Sequence, residues 1–436
     1  MTPDAVTKSP NSLSQLPVEL IAGIFVLAQG PGHCFPLRTP RRSNDLRQRM
    51  WWNVAGVSRQ WREIALDTPQ LWDTLDLTSI ASATTMLERS KGAPLCVHCC
   101  RPFEYSLHES IGKAIIYQFP RIQEFNISGA TQDMIQLFQI FSSMEYASLP
   151  VLQTLRMSSK VDCRGLFSLP HPLVSGHLPA LRLIELHNLK LDSPLPPLPR
   201  LVRLHMSAQS DSNAVSWECR AQLLRTLSIK SKDLASSAIL DYLKCPSSAK
   251  VTFSVSACVI TTIPSLSGLR HLFFQLCQDD APAIREVRVH SGGAPPRYLS
   301  IAVYSANAAP VRDIMLDCYE PTTLLADICE QLCSTLPRQH LETLRLDGLE
   351  GLPQPTWSRL LQNMDAITRV EASNIASPFI RALSKSKNAV ATTPLPNLKT
   401  LELSYCEFED PCSNPGCGEM IPTLMDVLQE RKEFGW

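Results

Sequence analysis

The sequence predicts an α/β chain: a small all-helical N-terminal unit, then a solenoid of strand–crossover units sharing a parallel sheet. Three observations predict it. Residues 13–77 carry short apolar stripes at helical spacing, one leucine phrase recurs from residue 119 onward, and proline recurs in that phrase at a constant phase. The composition agrees. Of 436 residues, 44% are apolar and 19% charged, and 41 Lys+Arg balance 41 Asp+Glu, as in globular rather than disordered chains. Proline is frequent (34) and glycine sparse (17) against average usage of about 5% and 7%. Glycine-rich phosphate loops therefore have little material.

Residues 1–12 read as a disordered tail; Pro3, Asp4 and Pro10 stand where a signal peptide needs a basic start and an apolar core. Leu16 to Phe25 reads as a short helix with Pro17 in its first turn, where a missing N–H costs nothing. Leu20, Ile21, Ile24 and Phe25 would form its apolar stripe. A polar, Pro- and Arg-rich insertion follows at about 29–50. Val54, Val57, Trp61 and Ile64-Ala65 are then spaced for a second amphipathic helix. Thr68-Pro69 starts a turn, and Gln70 to Leu77 leads into alternating apolar residues. A unit this small buries little by itself, so an exposed apolar face or a covering partner is expected.

These residues resemble a known family. The runs LSQLPVELIAGIF and VSRQWREIALDTPQLWDTLDL look like the F-box as it occurs in many fungal proteins. The matching positions are Leu16, Pro17, Glu19, Leu20, Ile24, Phe25, Val57, Arg59, Trp61, Pro69, Leu71 and Trp72. Two departures stand out: Ser58 replaces the usual Cys, and the 29–50 insertion is longer than a compact F-box needs. The resemblance implies docking on a Skp-type linker protein through Leu16, Pro17, Leu20, Ile24, Phe25, Val57 and Trp61.

Residues 78–436 are read as one repeat region. The phrase Pro-x-Leu-x-x-Leu-x-Leu occurs as Pro120 to Ile127 and Pro150 to Met157. Further apolar triplets fall at Leu181/Ile184/Leu186, Leu201/Leu204/Met206, Leu224/Leu227/Ile229, Leu269/Leu272/Phe274, Ile284/Val287/Val289, Leu341/Leu344/Leu346 and Leu398/Leu401/Leu403. Weaker copies sit at Val311/Ile314/Leu316 and Ile367/Val370/Ala372. The final alternating pair makes a short strand with both apolar residues inward, and the following residues cross back to a parallel neighbour. Proline before the first leucine would start each strand, where no ladder bond is lost. Tyr298 to Val303 alternates as a further strand. The spacing resembles irregular leucine-rich repeats. The family's Asn/Cys position, three after the last leucine, would be filled by Cys277 and Cys406. A bundle of amphipathic helices is the other architecture the leucines allow, and recurrent proline argues against it. Residues Thr423 to Arg431, with Leu424, Val427 and Leu428 on one side, read as a capping helix.

In the slot before each last leucine stand Arg156, Glu185, His205, Ser228, Phe273, Arg288, Arg345, Glu371 and Glu402. Stacked in parallel, these would form one column on the open face. Arg156, His205, Phe273, Arg288 and Arg345 are the expected target contacts, since mixed charge with an aromatic suits a protein surface better than a phosphate backbone.

Chemistry is thinly represented. No GxGxxG, P-loop, HExxH or GxSxG set is present. Cys96, His98, Cys99 and Cys100 are close in sequence but adjacent cysteines do not easily share one tetrahedral ion, and Cys406, Cys412 and Cys417 lack a histidine. Cys329 and Cys333 are spaced for one helix face. No metal, cofactor or catalytic residue is expected. Fifteen cysteines, an odd number without a disulfide spacing, suit a reducing cytoplasmic or nuclear setting. Charge balance and the lack of a ~20-residue apolar run argue against nucleic acid and membrane partners. Arg38, Arg41, Arg42, Arg47 and Arg49 make the insertion basic. The expectation is a non-enzymatic adaptor of a cullin–RING (SCF-type) ubiquitin ligase that holds an unidentified protein target. A binding scaffold of the same architecture without a ligase role is the alternative.

Overall fold

The computed structural model describes residues 16–29, 54–77, 80–99, 108–142, 148–160, 167–169, 173, 177–190, 197–207, 219–220, 223–231, 243–244, 246, 248–258, 267–275, 283–292, 297–305, 310–318, 328–331, 334–336, 338–349, 352–362, 364–375, 377–384, 394–405 and 420–433. The disordered tail, most of the 29–50 insertion, Cys100, Cys277, Cys333, Cys406, Cys412 and Cys417 lie outside the described residues. The chain forms two compact units. The first comprises residues 1–162 with 176–181, the second 163–175 with 182–436.

The first unit opens with helix α1 (Val18–Gln29), a single turn Val54–Val57, helix α2 (Arg59–Asp67) and a 3-10 turn Pro69–Trp72. The sequence suggests one helix through 54–65; the structure breaks it at Ser58. Ser58 is extended (φ −154°) and its Oγ accepts the Trp61 N–H at 3.1 Å, a side-chain N-cap that replaces a missing intrahelical bond. Trp72 closes the group, its Nε1–H donating to the Ala65 carbonyl at 2.9 Å with the Arg89 guanidinium 4.3 Å above its ring.

Strand β1 (Thr74–Asp76) then starts a parallel sheet with β2 (Leu95–Cys99), β3 (Ile122–Ala130) and β4 (Thr154–Lys160). Helices α3 (Ile80–Arg89), α4 (His108–Tyr117) and α5 (Thr131–Ser142) lie in the crossovers, as parallel pairing requires. Leu75, Val97, Phe125 and Leu155 form one register row. Phe125 meets Phe119 and Phe141 at centroid distances of 6.3 and 5.8 Å, an aromatic cluster at the centre of this core.

The second unit contains β5 (Leu183–His187), β6 (Arg203–Ser207), β7 (Thr226–Ser231), β8 (Lys250–Cys258), helix α6 (Ser267–Phe274), β9 (Ile284–Gly292), β10 (Arg297–Ser305) and β11 (Pro310–Cys318). There follow β12 (Thr343–Asp347), α7 (Gln354–Leu361), β13 (Arg369–Ser373), α8 (Ser377–Ala382), β14 (Thr400–Ser404) and α9 (Met420–Glu433). Within this unit the strands run in the order β5-β6-β7-β8-β11-β10-β9-β12-β13-β14. Two rows of apolar residues run across the sheet. One is Ile184, Leu204, Leu227, Val251, then Val303, Val287, Leu344, Val370 and Leu401; the other is Leu186, Met206, Ile229, Phe253, Ile314, Ile301, Val289, Leu346, Ala372 and Leu403. Outside β8, β10 and β11 these are the paired apolar residues of the repeated phrase.

Three expectations need correction. The sheet is not wholly parallel: β10 is antiparallel to both β9 and β11. The links 293–296 and 306–309 are far shorter than the dozen or so residues of a parallel crossover, so the chain must reverse in place. Leu269 to Phe274 is helix α6, not a strand, while β8 occupies Lys250–Cys258, a segment without the proline start. The repeated proline does not begin strands. In Leu149-Pro150-Val151-Leu152, Leu178-Pro179-Ala180-Leu181, Leu198-Pro199-Arg200-Leu201 and Leu395-Pro396-Asn397-Leu398 the last N–H donates to the first carbonyl at 3.1–3.3 Å. Proline is position i+1 of a β-turn, which its fixed φ suits, and both flanking leucines are buried. In three of the other copies of the phrase the position three after its last apolar residue holds buried Leu189, Leu349 and Ile375. The residue before it takes the left-handed conformation: Asn188 (φ 56°), Gly348 (φ 67°), Asn374 (φ 50°) and Tyr405 (φ 53°). At Gly348 a Cβ would lie 1.7 Å from the Ser291 carbonyl oxygen, so only glycine fits.

Helix α9 has Val427 buried and Leu428 38% exposed. Its firmest attachment is Arg431, whose guanidinium donates to the carbonyls of Leu395 and Leu383 at 3.1 Å each and of Pro394 at 2.5 Å. Burial holds the Arg431 side chain below its ordinary pKa. No helix among the described residues is long and apolar enough to cross a membrane.

Candidate functional site

Helix α1 is apolar on two sides, and packing uses one of them. Ile21 and Phe25, at i and i+4, are buried, and the Phe25 ring lies 5.1 Å from Trp61 at 57°. Leu20, Ile24 and Leu27, at i, i+4 and i+7, are 56%, 48% and 81% exposed, and Val57 on the following turn is 62% exposed. Of the expected docking residues, Leu20, Ile24, Val57 and Pro17 are therefore open to solvent, Leu16 and Trp61 are half-buried, and Phe25 is inside. Phe25 serves the domain's core instead, because a helix turns about 100° per residue and cannot present Ile24 and Phe25 to the same neighbour equally. Leu27, missing from the expected set, continues the Leu20–Ile24 line one turn on.

Residues 13–78 match the F-box-like family. The F-box-like domain thus spans α1, α2, the Pro69–Trp72 turn and β1, and its apolar stripe is a surface feature of a domain class that works as an adaptor rather than a catalyst. No curated protein matches the chain.

The expected recognition column is only partly reproduced. In the second unit one register row reads Glu185, His205, Ser228, Thr252, Asp313, Ala302, Arg288, Arg345, Glu371, Glu402. His205, Arg288 and Arg345 lie in it, half-buried on the face opposite the apolar rows. Phe273 does not: it is fully buried in α6, paired at i+4 with buried Leu269. Arg156 belongs to the first unit, where it shares a register row with His98 and Asn126. All three are buried, so Arg156 is no open contact. Ala302 and Asp313 fall outside the expected column because β10 carries no repeated phrase and the weak copy on β11 sets Asp313, not the residue before its last leucine, in this row.

Within the row the charges meet one another. Arg345 Nε lies 3.1 Å from both Glu286 and Glu371, Arg369 reaches Glu371 at 2.9 Å and Glu402 at 2.8 Å, and Arg288 pairs with Glu286 while stacking over Tyr304 at 4.2 Å. Next to them His290 Nδ1 contacts Asp347 at 2.8 Å and its Nε2 the Tyr298 hydroxyl. Asp347 also accepts from Asn374 Nδ2 at 2.9 Å. Three arginines against three glutamates make this part of the face neutral.

On β5 and β6 the rings of His187 and His205 lie 5.0 Å apart, and His187 Nδ1 is 3.0 Å from Ser207 Oγ. Burial, foremost, holds both below the ordinary histidine value; Lys230 adds to this and Glu185 opposes it, and His205 also feels His187. A folded-state pKa below the unfolded one gives stability that is complete above the unfolded value and lost as pH falls through the folded one. The resistance of the second unit to urea is therefore expected to fall as pH drops below about 6.5. The double change His187→Gln, His205→Gln should flatten that dependence; an unchanged slope would remove the pair as its source.

For metals, the strand alternation of β2 places Cys96 and His98 on one face and Cys99 on the other. Burial, with Asp73 and Glu124 nearby, pushes the Cys96 thiol well above its usual range, which disfavours the thiolate a metal needs. No group of three or more His, Cys, Asp or Glu side chains that could hold a metal occurs among the described residues. Cys329 is buried in the helical turn at 328–331.

Proposed function

We propose that the chain is a substrate-recognition adaptor of an SCF-type cullin–RING ubiquitin ligase, with its F-box-like domain docked on a Skp-type linker. The outer sheet face of an irregular leucine-rich-repeat solenoid would hold a protein target. The reading carries with it a cytoplasmic or nuclear setting and no bond chemistry in the chain itself. Its contribution is a raised effective concentration of target beside a charged conjugating enzyme. The observation that supports it is the solvent-facing line Leu20, Ile24, Leu27 with Val57, on a domain that buries Ile21, Phe25 and Trp72 behind it. Single exposed apolar residues are ordinary, but an aligned stripe on one helix marks an interaction surface.

Co-purification with a recombinant Skp-type linker protein tests this. Wild type is expected to be captured, and Leu20→Asp with Ile24→Asp should abolish capture while leaving the far-ultraviolet spectrum unchanged, since both side chains already face water. If wild type is not captured, the chain is a protein-binding scaffold without a ligase role. If the charged double variant is captured equally well, the stripe is not the docking face.

A further inference from the structure

Charge on the open face of the second unit is divided unevenly. The arginines of β9, β12 and β13 are matched: Arg285 lies 4.0 Å from Glu342, and Arg288, Arg345 and Arg369 share Glu286, Glu371 and Glu402. The cations at the start of β5 to β8 are not. Arg182, Arg200, Arg203, Arg225 and Lys250 are all exposed, and none is in an ion pair with a carboxylate among the described residues. The backbone holds them together: the Arg203 N–H donates to the Arg182 carbonyl at 3.0 Å and the Lys250 N–H to the Arg225 carbonyl at 2.8 Å. Arg203, Thr226 and Lys250 are successive register partners, and exposed Lys230 extends the positive area along β7. Among the described residues Glu185 and Asp313 supply the nearby negative charge, with Asp313 close enough to Lys250 for the lysine to oppose the rise that burial causes in its pKa. In a chain whose 41 basic and 41 acidic residues cancel, this local excess is a segregated feature.

We propose that the basic rim formed by Arg182, Arg203, Arg225 and Lys250 is the docking site for an extended acidic segment of a partner protein. This deepens the target-recognition half of the reading above and rests on it only for calling the partner a target. The spacing suits discrete carboxylates. Arg203 and Lys250 are two strands apart, about 10 Å, which is about three residues of an extended peptide. A nucleic acid fits less well, because its closely spaced phosphates would run over Glu185 and Asp313, whereas an acidic peptide can set an uncharged residue there. Like charges on the partner's competitors are rejected by the same field.

The test uses the full chain and a fluorescein-labelled peptide with Glu at every third position separated by Gly and Ser, read by fluorescence anisotropy without linker protein. Failure of linker capture and failure of peptide binding are thus separate results. Binding is expected at low salt and should weaken as salt is raised. Arg203→Glu with Lys250→Glu should weaken it by at least about tenfold, while Arg369→Gln, in the neutral half of the face, should leave it unchanged. Should the reversed pair disturb folding, Arg182→Gln with Arg225→Gln at the exposed rim is expected to weaken binding in the same direction. No binding at low salt, equal binding by the charge-reversed or neutralised variants, or an oligothymidylate binding as tightly as the peptide would each overturn the proposal.

Discussion

Arg312→Ala is expected to destabilise the second unit by about 2–5 kcal/mol, and Arg312→Met to cost little or to stabilise. Arg312 occupies a place the apolar pattern reserves for an aliphatic residue. It stands in the inward row between Val251 on β8 and Val303 on β10, and it is fully buried. Its Nη1 donates to the Ala249 carbonyl and, at 3.2 Å, to the Val311 carbonyl. Alanine would remove those donors and leave a large void where the neighbouring strands cannot easily collapse. Methionine fills much of the volume and removes a buried charge, whose desolvation is costly even when well bonded. Urea unfolding with hydrogen exchange of Lys250–Cys258 and Pro310–Cys318 reads the effect where it arises. Equal loss in both variants would mean that the carbonyl bonds, and not the filling of space, hold β11 in register.

That same site shows why the sequence was readable in some places and opaque in others. The two apolar rows were legible because alternation over Leu204-x-Met206 or Leu344-x-Leu346 has one structural solution when a sheet has one dry face. At Val311-Arg312-Asp313-Ile314 the pattern carries a charge inward, and no local rule distinguishes such a residue from an outward one. The antiparallel excursion was legible in principle: Val289 and Tyr298 are too close for a crossover, a length argument that outranks the resemblance of Val311/Ile314/Leu316 to the repeat. Strand β8 was obscured because Lys250-Val251-Thr252-Phe253 lacks the Leu-Pro-x-Leu turn, although its alternation is clear. Leu269, Leu272 and Phe274 fit the repeat spacing, which would place Phe273 on the open face, yet Leu269 and Phe273, both buried, are equally well spaced for a helix. The ion pairs that neutralise Arg288 and Arg345 depend on register between strands dozens of residues apart, which no single segment encodes.

Phe25→Ala should abolish linker capture by a different route from Ile24→Asp, and the difference bears on how the F-box-like domain works. Phe25 is 3% exposed and its ring packs at a tilt against Trp61, joining α1 to α2. Truncating a buried phenylalanine costs about 3–5 kcal/mol, a large share of what a domain of some sixty residues can hold. The α1–α2 pairing is then expected to open, with rapid hydrogen exchange across Val18–Gln29 and Arg59–Asp67 and early proteolysis there. The second-unit strands Thr343–Asp347 and Arg369–Ser373 should keep their protection. Ile24, 48% exposed, makes no comparable contribution, so Ile24→Asp should lose capture with exchange in α1 unchanged. Adjacent positions on one helix would then separate the two uses of apolar surface, one folding the domain and one left for a partner. If Phe25→Ala kept both protection and capture, the inward side of α1 would not be what holds the outward stripe in place.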